Sequence, residues 1–493
     1  MADVRRLLIS LIAAGLLASA CSSADPEELA IMADVDSTAS TASDDTTGVD
    51  KSDDGNDSDD RDEPDGSVGN DDERNSDYLF AQDQLHTFEL TLSADDLAFL
   101  DADPTAEQYV SGTLTFEGDT IPVGIRYKGS VGAFVRCVDA ENFLQPSGPK
   151  ICTKLSMKIK INWEDPDAEL LGVRKLQFHA MNNQGSLMRE RLAYWLYREM
   201  GVPAPRSTHA RILVNGEFVG IFALTENIDG RFTRENFPDG TGNLYKEAWP
   251  ITQSGDVQSA EVLIGSLRTN ENDADVSAEI MQSFADQLLR SSDRVAVIEQ
   301  WMGVEALMAQ LAVDRTIRHD DGPFHWYCRL AAGGGADGGC GPHNFFWYED
   351  PTAQQVHLIP WDLDNAFANI VEDSNPVTPI PDGIGDITFD CQPFAYGGFN
   401  LEQRSASCDP LFATWALMED QYAAAVQQLH DGPLRAEVIG PLLDEWEAQI
   451  RESVTEAAAT HDDALPVAWW QASLHELRSA LRYARGNPVV PLN

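Results

Sequence analysis

Alternating hydrophobicity occupies the first half of the foldable chain and helical periodicity the second, and this order restricts the architecture more than any other feature. The stretch His86-Thr-Phe-Glu-Leu-Thr-Leu92 has period two, as do 109–116 and 121–127. Along 155–161, Leu155, Met157, Ile159 and Ile161 face one side while Ser156, Lys158 and Lys160 face the other, the pattern of a half-buried strand. Runs at 211–214 and 218–225 flank Asn215-Gly216, a pair that supplies the positive φ angles of a type I′ hairpin. Ser93 caps a short predicted helix, and 186–200 reads as a longer one stopped by Gly201 and Pro203. Beyond Lys246 a polar stretch leads to helices predicted near 277–290, 293–314, 410–430, 433–459 and 467–485, with Trp469 and Trp470 assigned to the core. Strands before helices, without βαβ alternation, predict an α+β fold: a mainly antiparallel N-terminal sheet followed by a mostly helical C-terminal part.

The first residues bear on compartment. Arg5 and Arg6 precede the apolar run 7–17, and Ala18-Ser19-Ala20 leads into Cys21. This reads as a lipoprotein signal peptide, 1–21, in which Cys21 is acylated, although Ala18 stands where Leu is commoner. The run is too short for an ordinary membrane span. The expectation is export, with the chain lipid-anchored to the cell envelope, periplasmic or at the cell surface. Residues 22–77 hold about 20 acids against about 3 bases and almost no aromatics, so they cannot bury enough surface to offset ordering entropy and predict an acidic, disordered tether. The formal charge of -47 speaks against nucleic acid as a partner, because phosphate binding needs clustered Lys and Arg. Beyond Cys21 the cysteines fall into three close pairs, Cys137 and Cys152, Cys328 and Cys340, Cys391 and Cys408, which favours three local disulfides in an oxidising compartment. None of these pairs has the close spacing of a zinc knuckle.

Polar residues that suit phosphoryl transfer concentrate between 318 and 367. They include Arg318-His-Asp-Asp-Gly322, His343-Asn-Phe-Phe-Trp-Tyr348 and Ile359-Pro-Trp-Asp-Leu-Asp-Asn365. Phe345 to Tyr348 and His357 to Trp361 predict two adjacent strands joined by a turn at Glu349-Asp350-Pro351. Carboxylates beside buried strands are costly unless a positive charge compensates them, and hard divalent cations take oxygen ligands such as Asp and Asn. In kinase-like sites one Asp acts as base, an Asn and a second Asp hold magnesium, and a strand Lys pairs the phosphates. Here Asp321, Asn344 and Asp362 occur in that order, with Lys158 and Lys160 on an earlier strand. Glu190 is a candidate partner for that Lys, although on a helical wheel it faces away from Met188, Leu192 and Trp195. Asp364 is either a further metal ligand or a helix cap. His319 and His343 read as hydrogen-bonded neighbours, and Glu226, at a strand end, as a candidate nucleotide contact.

A series of motifs resembles the CotH family of atypical kinases. In order these are Arg126-Tyr-Lys-Gly-Ser130, Lys158-Ile-Lys160, Leu187-Met-Arg-Glu-Arg-Leu-Ala-Tyr194, Val214-Asn-Gly-Glu-Phe-Val-Gly220, Leu224-Thr-Glu-Asn-Ile-Asp229, Gly242-Asn-Leu-Tyr-Lys246, His343-Asn-Phe-Phe-Trp-Tyr348 and Ile359-Pro-Trp-Asp-Leu-Asp364. The resemblance implies an atypical protein-kinase-like fold and an ATP- and magnesium-dependent kinase phosphorylating Ser or Thr of secreted or surface proteins. Carried over by position, it implies the catalytic role for Asp321, metal binding for Asn344 and Asp362, and the principal nucleotide lysine at Lys160; Lys128, Lys158 and Glu190 stand beside it as further nucleotide-binding candidates and Asp364 as a further metal candidate. On this reading 78–250 form a sheet-rich lobe and 251–493 a helical lobe that carries the catalytic segment. Two departures stand out: the Gly-rich insert 331–341 between Asp321 and Asn344, and the doubled Asp320-Asp321, which leaves Asp320 as an alternative base. An exported protein meets little ATP, so another nucleotide-dependent transferase, with manganese or calcium in place of magnesium, stays open. So does a catalytically inactive surface module binding calcium at Asp321, Asp362 and Asp364.

Overall fold

The computed structural model describes residues 74–489, except 130, 135, 139–145, 320, 331–335, 369, 371–388 and 397–400. The predicted signal peptide ending in Cys21, nearly all of the predicted acidic tether and Asp320 therefore lie outside the described residues. Strand β1 is His86–Thr91, β2 Val110–Phe116, β3 Asp119–Tyr127, β4 Met157–Lys160, β5 Lys175–His179, β6 Ser207–Val214 and β7 Glu217–Thr225. Neighbours pair antiparallel from β1 through β5, then β5 with β7 and β7 with β6. A parallel pairing of β1 with β6, His86 opposite Ala210, closes the sheet into a barrel. The mainly antiparallel sheet is thus present, and its closure removes the open edges a flat sheet would have.

Alternation decides which side chains fill the barrel. Phe88, Leu114, Ile125, Ile159, Leu176, Phe178, Ile212 and Leu224 are buried together inside it. Residues of the opposite parity form a polar row on the outside, in which Lys158, Gln177 and Thr225 stand side by side in register on β4, β5 and β7. The β6–β7 turn is Asn215-Gly216, with φ of 52° and 83°, as its sequence predicts. Strand β5 was not anticipated: Lys175-Leu-Gln-Phe-His179 is too short to declare its period against the turns around it.

The helix Arg189–Glu199 packs against the outer face near β6 and β7. It is buried on almost every side, Glu190 and Arg191 included, so the wheel argument that set Glu190 away from the apolar side does not hold. A wheel identifies one buried face; here the barrel and the C-terminal helices cover two. Strands β8 (Leu244–Lys246), β11 (Phe345–Asp350) and β12 (Gln355–Pro360) make an antiparallel sheet with β11 central. Between β8 and β11 in sequence, β9 (Trp326–Leu330) and β10 (Ala336–Gly341) pair within a second sheet completed by β13 (Phe394–Tyr396) and β14 (Leu401–Arg404). The Gly-rich insert thus contributes a strand, with Cys340 opposite Cys328.

The predicted helix 293–314 is two, Arg294–Trp301 and Val304–Ile317, interrupted at Met302-Gly303. Ala436–Thr460 and Val467–Gly486 close the described chain. Trp470 is fully buried, but Trp469 is 57% exposed and corrects the core assignment, because successive helical residues point about 100° apart. Three disulfides join Cys137 to Cys152, Cys328 to Cys340 and Cys391 to Cys408, the close pairs. Among the described residues no helix is long and apolar enough to cross a membrane.

Candidate active site

The β11–β12 hairpin brings two distant motifs together. Phe345 pairs with Pro360, so Asn344 just before β11 and Trp361-Asp362 just after β12 become neighbours, and Trp361 N donates to the Asn344 carbonyl at 3.2 Å. The third segment arrives from the helix Val304–Ile317, which ends in a left-handed Arg318 with φ of 48°. His319 follows, fully buried; its Nε2 donates to the Asp362 carbonyl at 3.0 Å and its Nδ1 lies 3.5 Å from Asp314 Oδ2. Burial disfavours the charged ring, but Asp314, with Asp321 further off, outweighs it and raises the His319 pKa above its ordinary value. A Cβ on Gly322 would lie 2.4 Å from His319 Nδ1, so only glycine lets the chain fold back over this ring.

That turn presents Asp321. Asn344 Nδ2 donates to the Asp321 backbone oxygen at 2.8 Å and to its Oδ2 at 3.0 Å, while Asn365 Nδ2 reaches the same Oδ2 at 3.4 Å. Asn344 and Asp362 have left-handed backbones, with φ of 56° and 51°, like Arg318. Asn and Asp tolerate this region better than most residues, and such outliers gather where a site dictates the backbone. Asn344 is also held from behind, its N–H donating to Glu247 Oε1 at 2.8 Å.

The barrel supplies the facing wall. Lys128, just past β3, donates from Nζ to Gln177 Oε1 at 2.9 Å, meets His179 Nε2 at 3.0 Å and lies 5.3 Å from the centre of the Trp361 ring. His179 ends β5; its Nδ1 donates to Glu190 Oε1 at 2.6 Å, an oxygen that also accepts from Thr225 Oγ1 at 2.6 Å. The result is a linear chain, Lys128–His179–Glu190, with Glu190 1% exposed. Burial works against the Glu190 carboxylate, but His179, Thr225 and Lys128 overcome it and hold its pKa below the usual range.

The two halves meet electrostatically at Asp362 and Asp364. Burial pushes the Asp362 carboxyl up, Glu190 and Asp321 add to this, and His179 and Lys128 pull it back. Asp364 is pushed further up, by burial and then by Asp362, Asp321 and Glu190, with Arg189 opposing. Acidic groups therefore outweigh the cations here, and their donors are oxygens. That fits a hard divalent cation, which Asn344, Asp362 and Asp364 would hold. Among the described residues no three His, Cys, Asp or Glu side chains are grouped closely enough to hold a metal by themselves.

Six of the residues singled out by sequence thus share one region: Lys128, Glu190, Asp321, Asn344, Asp362 and Asp364. Lys158 is buried on β4 in register with Gln177, two residues along the strand from the level of His179. Lys160 lies two residues further still, opposite Lys175, and is only half-buried. Glu226 belongs elsewhere: its carboxylate is taken by Arg206 at 2.6 Å and by Arg231. His343 is exposed beside the Tyr327 ring. His179, Asn365 and Trp361 were not anticipated as site residues. Asn365 and Trp361 adjoin Asp364 and Asp362, so their neighbours were the available signal; His179 closes a strand that itself escaped notice.

The family model described as CotH kinase protein matches residues 125–485. An inner spore coat protein H-like protein of Bacillus subtilis (strain 168) is 40% identical over 68 residues, which is 14% of this chain and 21% of that protein. The chain thus aligns with about a fifth of that relative's length, whereas the family model covers most of the folded region, from the end of β3 to the last helix. The chain belongs to the CotH kinase protein family.

Proposed function

We propose that this protein is an exported, lipid-anchored kinase that uses magnesium and ATP to phosphorylate Ser or Thr of secreted or surface proteins. The observation that carries the reading is the convergence of Asp321, Asn344, Asp362 and Asp364 opposite the Lys128–His179–Glu190 chain. Asp321 is the base: Asn344 and Asn365 fix its Oδ2, leaving the carboxylate directed to receive the proton of an acceptor hydroxyl. Lys128, steadied by Gln177, His179 and the Trp361 ring, pairs phosphate oxygens from the barrel side. When bound at Asn344, Asp362 and Asp364, magnesium neutralises charge on the phosphates. His319 fixes the backbone of Asp362 from beneath. Export is supported by the three disulfides and by the leader ending at Cys21.

The test is a thermal-shift panel on the full chain with ATP, magnesium and calcium, separately and combined, alongside transfer of radiolabelled phosphate to a protein acceptor. Magnesium with ATP should raise the melting temperature by a few degrees, as ligand at about 100 times its dissociation constant adds about 2.7 kcal/mol. Asp362→Asn should abolish both that rise and at least about 99% of transfer, while raising the melting temperature without ligand because an uncompensated acid is removed. Transfer that survives Asp362→Asn refutes the assignment. A shift with calcium alone, without transfer, selects the binding module instead.

A further inference from the structure

A cavity of about 260 Å³ opens between β7, the Cys137–Cys152 disulfide and the C-terminal helices, and none of its lining residues belongs to the acidic cluster. Its walls are largely apolar: Met181, Leu187, Val219, Ile221, Val454 and Leu465 line it, and the exposed Trp469 belongs to the lining. Lys154 is set among them. Among the described residues its ammonium donates to one acceptor, the Ile221 carbonyl at 2.8 Å, and lies 5.3 Å from the Phe222 ring centre. An ammonium has three donors, and no carboxylate of the described residues stands within ion-pair distance of it. Asp463, the acid that also lines the cavity, is turned to Thr153 instead, accepting from its N at 2.6 Å and its Oγ1 at 2.5 Å. Burial pulls the Lys154 pKa down to about 8, with the charge of Asp463 partly opposing.

We propose that this cavity is a second ligand site, taking a small apolar monocarboxylate whose carboxylate meets Lys154 and whose hydrocarbon body fills the apolar walls. Lys154, with Arg136 also on the lining, sets positive charge against largely apolar walls, which selects a ligand with one negative end and an otherwise greasy body. An engineered cavity of about 150 Å³ holds benzene, so the volume here admits about 10 non-hydrogen atoms, the size of octanoate. Met181 and Leu187 lie on the segment joining His179 to Glu190, so the occupant touches the chain between two members of the catalytic cluster.

Isothermal titration of the full chain with octanoate, and separately with octan-1-ol, tests the site. Octanoate should bind saturably with one site per chain, at least tenfold more tightly than the alcohol. Lys154→Met, which keeps most of the apolar stem, should reduce octanoate binding to the level of the alcohol and leave alcohol binding unchanged. The comparison of acid with alcohol on the unaltered protein decides the matter even if the variant fails to fold. Absence of saturable octanoate binding, or equal affinity for acid and alcohol, overturns the proposal. Phosphotransfer plays no part in these measurements, so their outcome is independent of the kinase reading.

Discussion

The contact between Glu190 and His179 allows a quantitative test of the barrel side of the site. Glu190→Ala removes the acceptor for both the His179 Nδ1–H and the Thr225 hydroxyl. Each buried donor left without a partner costs about 1–3 kcal/mol, and relief of carboxylate desolvation returns part of this, so a net loss of about 3 kcal/mol is expected. Glu190→Gln keeps the shape and one acceptor oxygen; exchanging charge-assisted bonds for neutral ones costs about 1 kcal/mol. Combining Glu190→Ala with His179→Ala should recover about 2 kcal/mol of coupling, since either change alone forfeits the 2.6 Å bond between them. Urea unfolding, followed by tryptophan fluorescence and circular dichroism, measures wild type, Glu190→Gln, the two single alanine variants and the double variant. Because Glu190 is held below the ordinary carboxylate range, its contribution is complete above about pH 4.3 and fades as pH falls through the depressed value. The gap between wild type and Glu190→Gln should therefore close on acidification. Additive single and double losses, within about 0.5 kcal/mol, would refute the proposed chain of contacts.

Two further outcomes follow from other parts of the fold. Burial raises the Glu349 carboxyl to about 7, with Tyr245 and Asn243 only partly opposing, so the folded state favours its protonated form. Its contribution is therefore full below about pH 4.3 and lost as pH rises to about 7, amounting to about 3 kcal/mol. His357, held down to about 4 by burial, works in the opposite sense, so the informative quantity is the difference between wild type and Glu349→Gln, which should grow in the variant's favour from pH 5 to 7 in urea titrations. Replacing Cys328 and Cys340 by Ser opens a loop of sequence separation 12 and should cost about 3 kcal/mol, read as a lower urea midpoint; an unchanged midpoint would mean the β9–β10 pairing suffices alone.

Local chemistry carried much of this molecule in its sequence. Alternation along 155–161 determined which residues of β4 enter the barrel, Asn215-Gly216 determined a hairpin turn, and short loop lengths favoured the three cysteine pairs that form. The strand–turn–strand pattern around Glu349-Asp350-Pro351 already implied that Asn344 and Asp362 would be neighbours, since an antiparallel hairpin joins whatever flanks it. Closure of the sheet was another matter. The parallel β1–β6 seam joins residues more than a hundred apart, and no local period encodes a partner at that distance. The role of Glu190 likewise required two surfaces to cover one helix, which a single amphipathic face does not reveal. His179 belongs to the site only because β5 lies between β4 and β7 and ends level with Lys128. Periodicity assigns a side chain to a face; only the packing of one face against another decides which charges meet there, because that depends on long-range contacts that no short window of sequence contains.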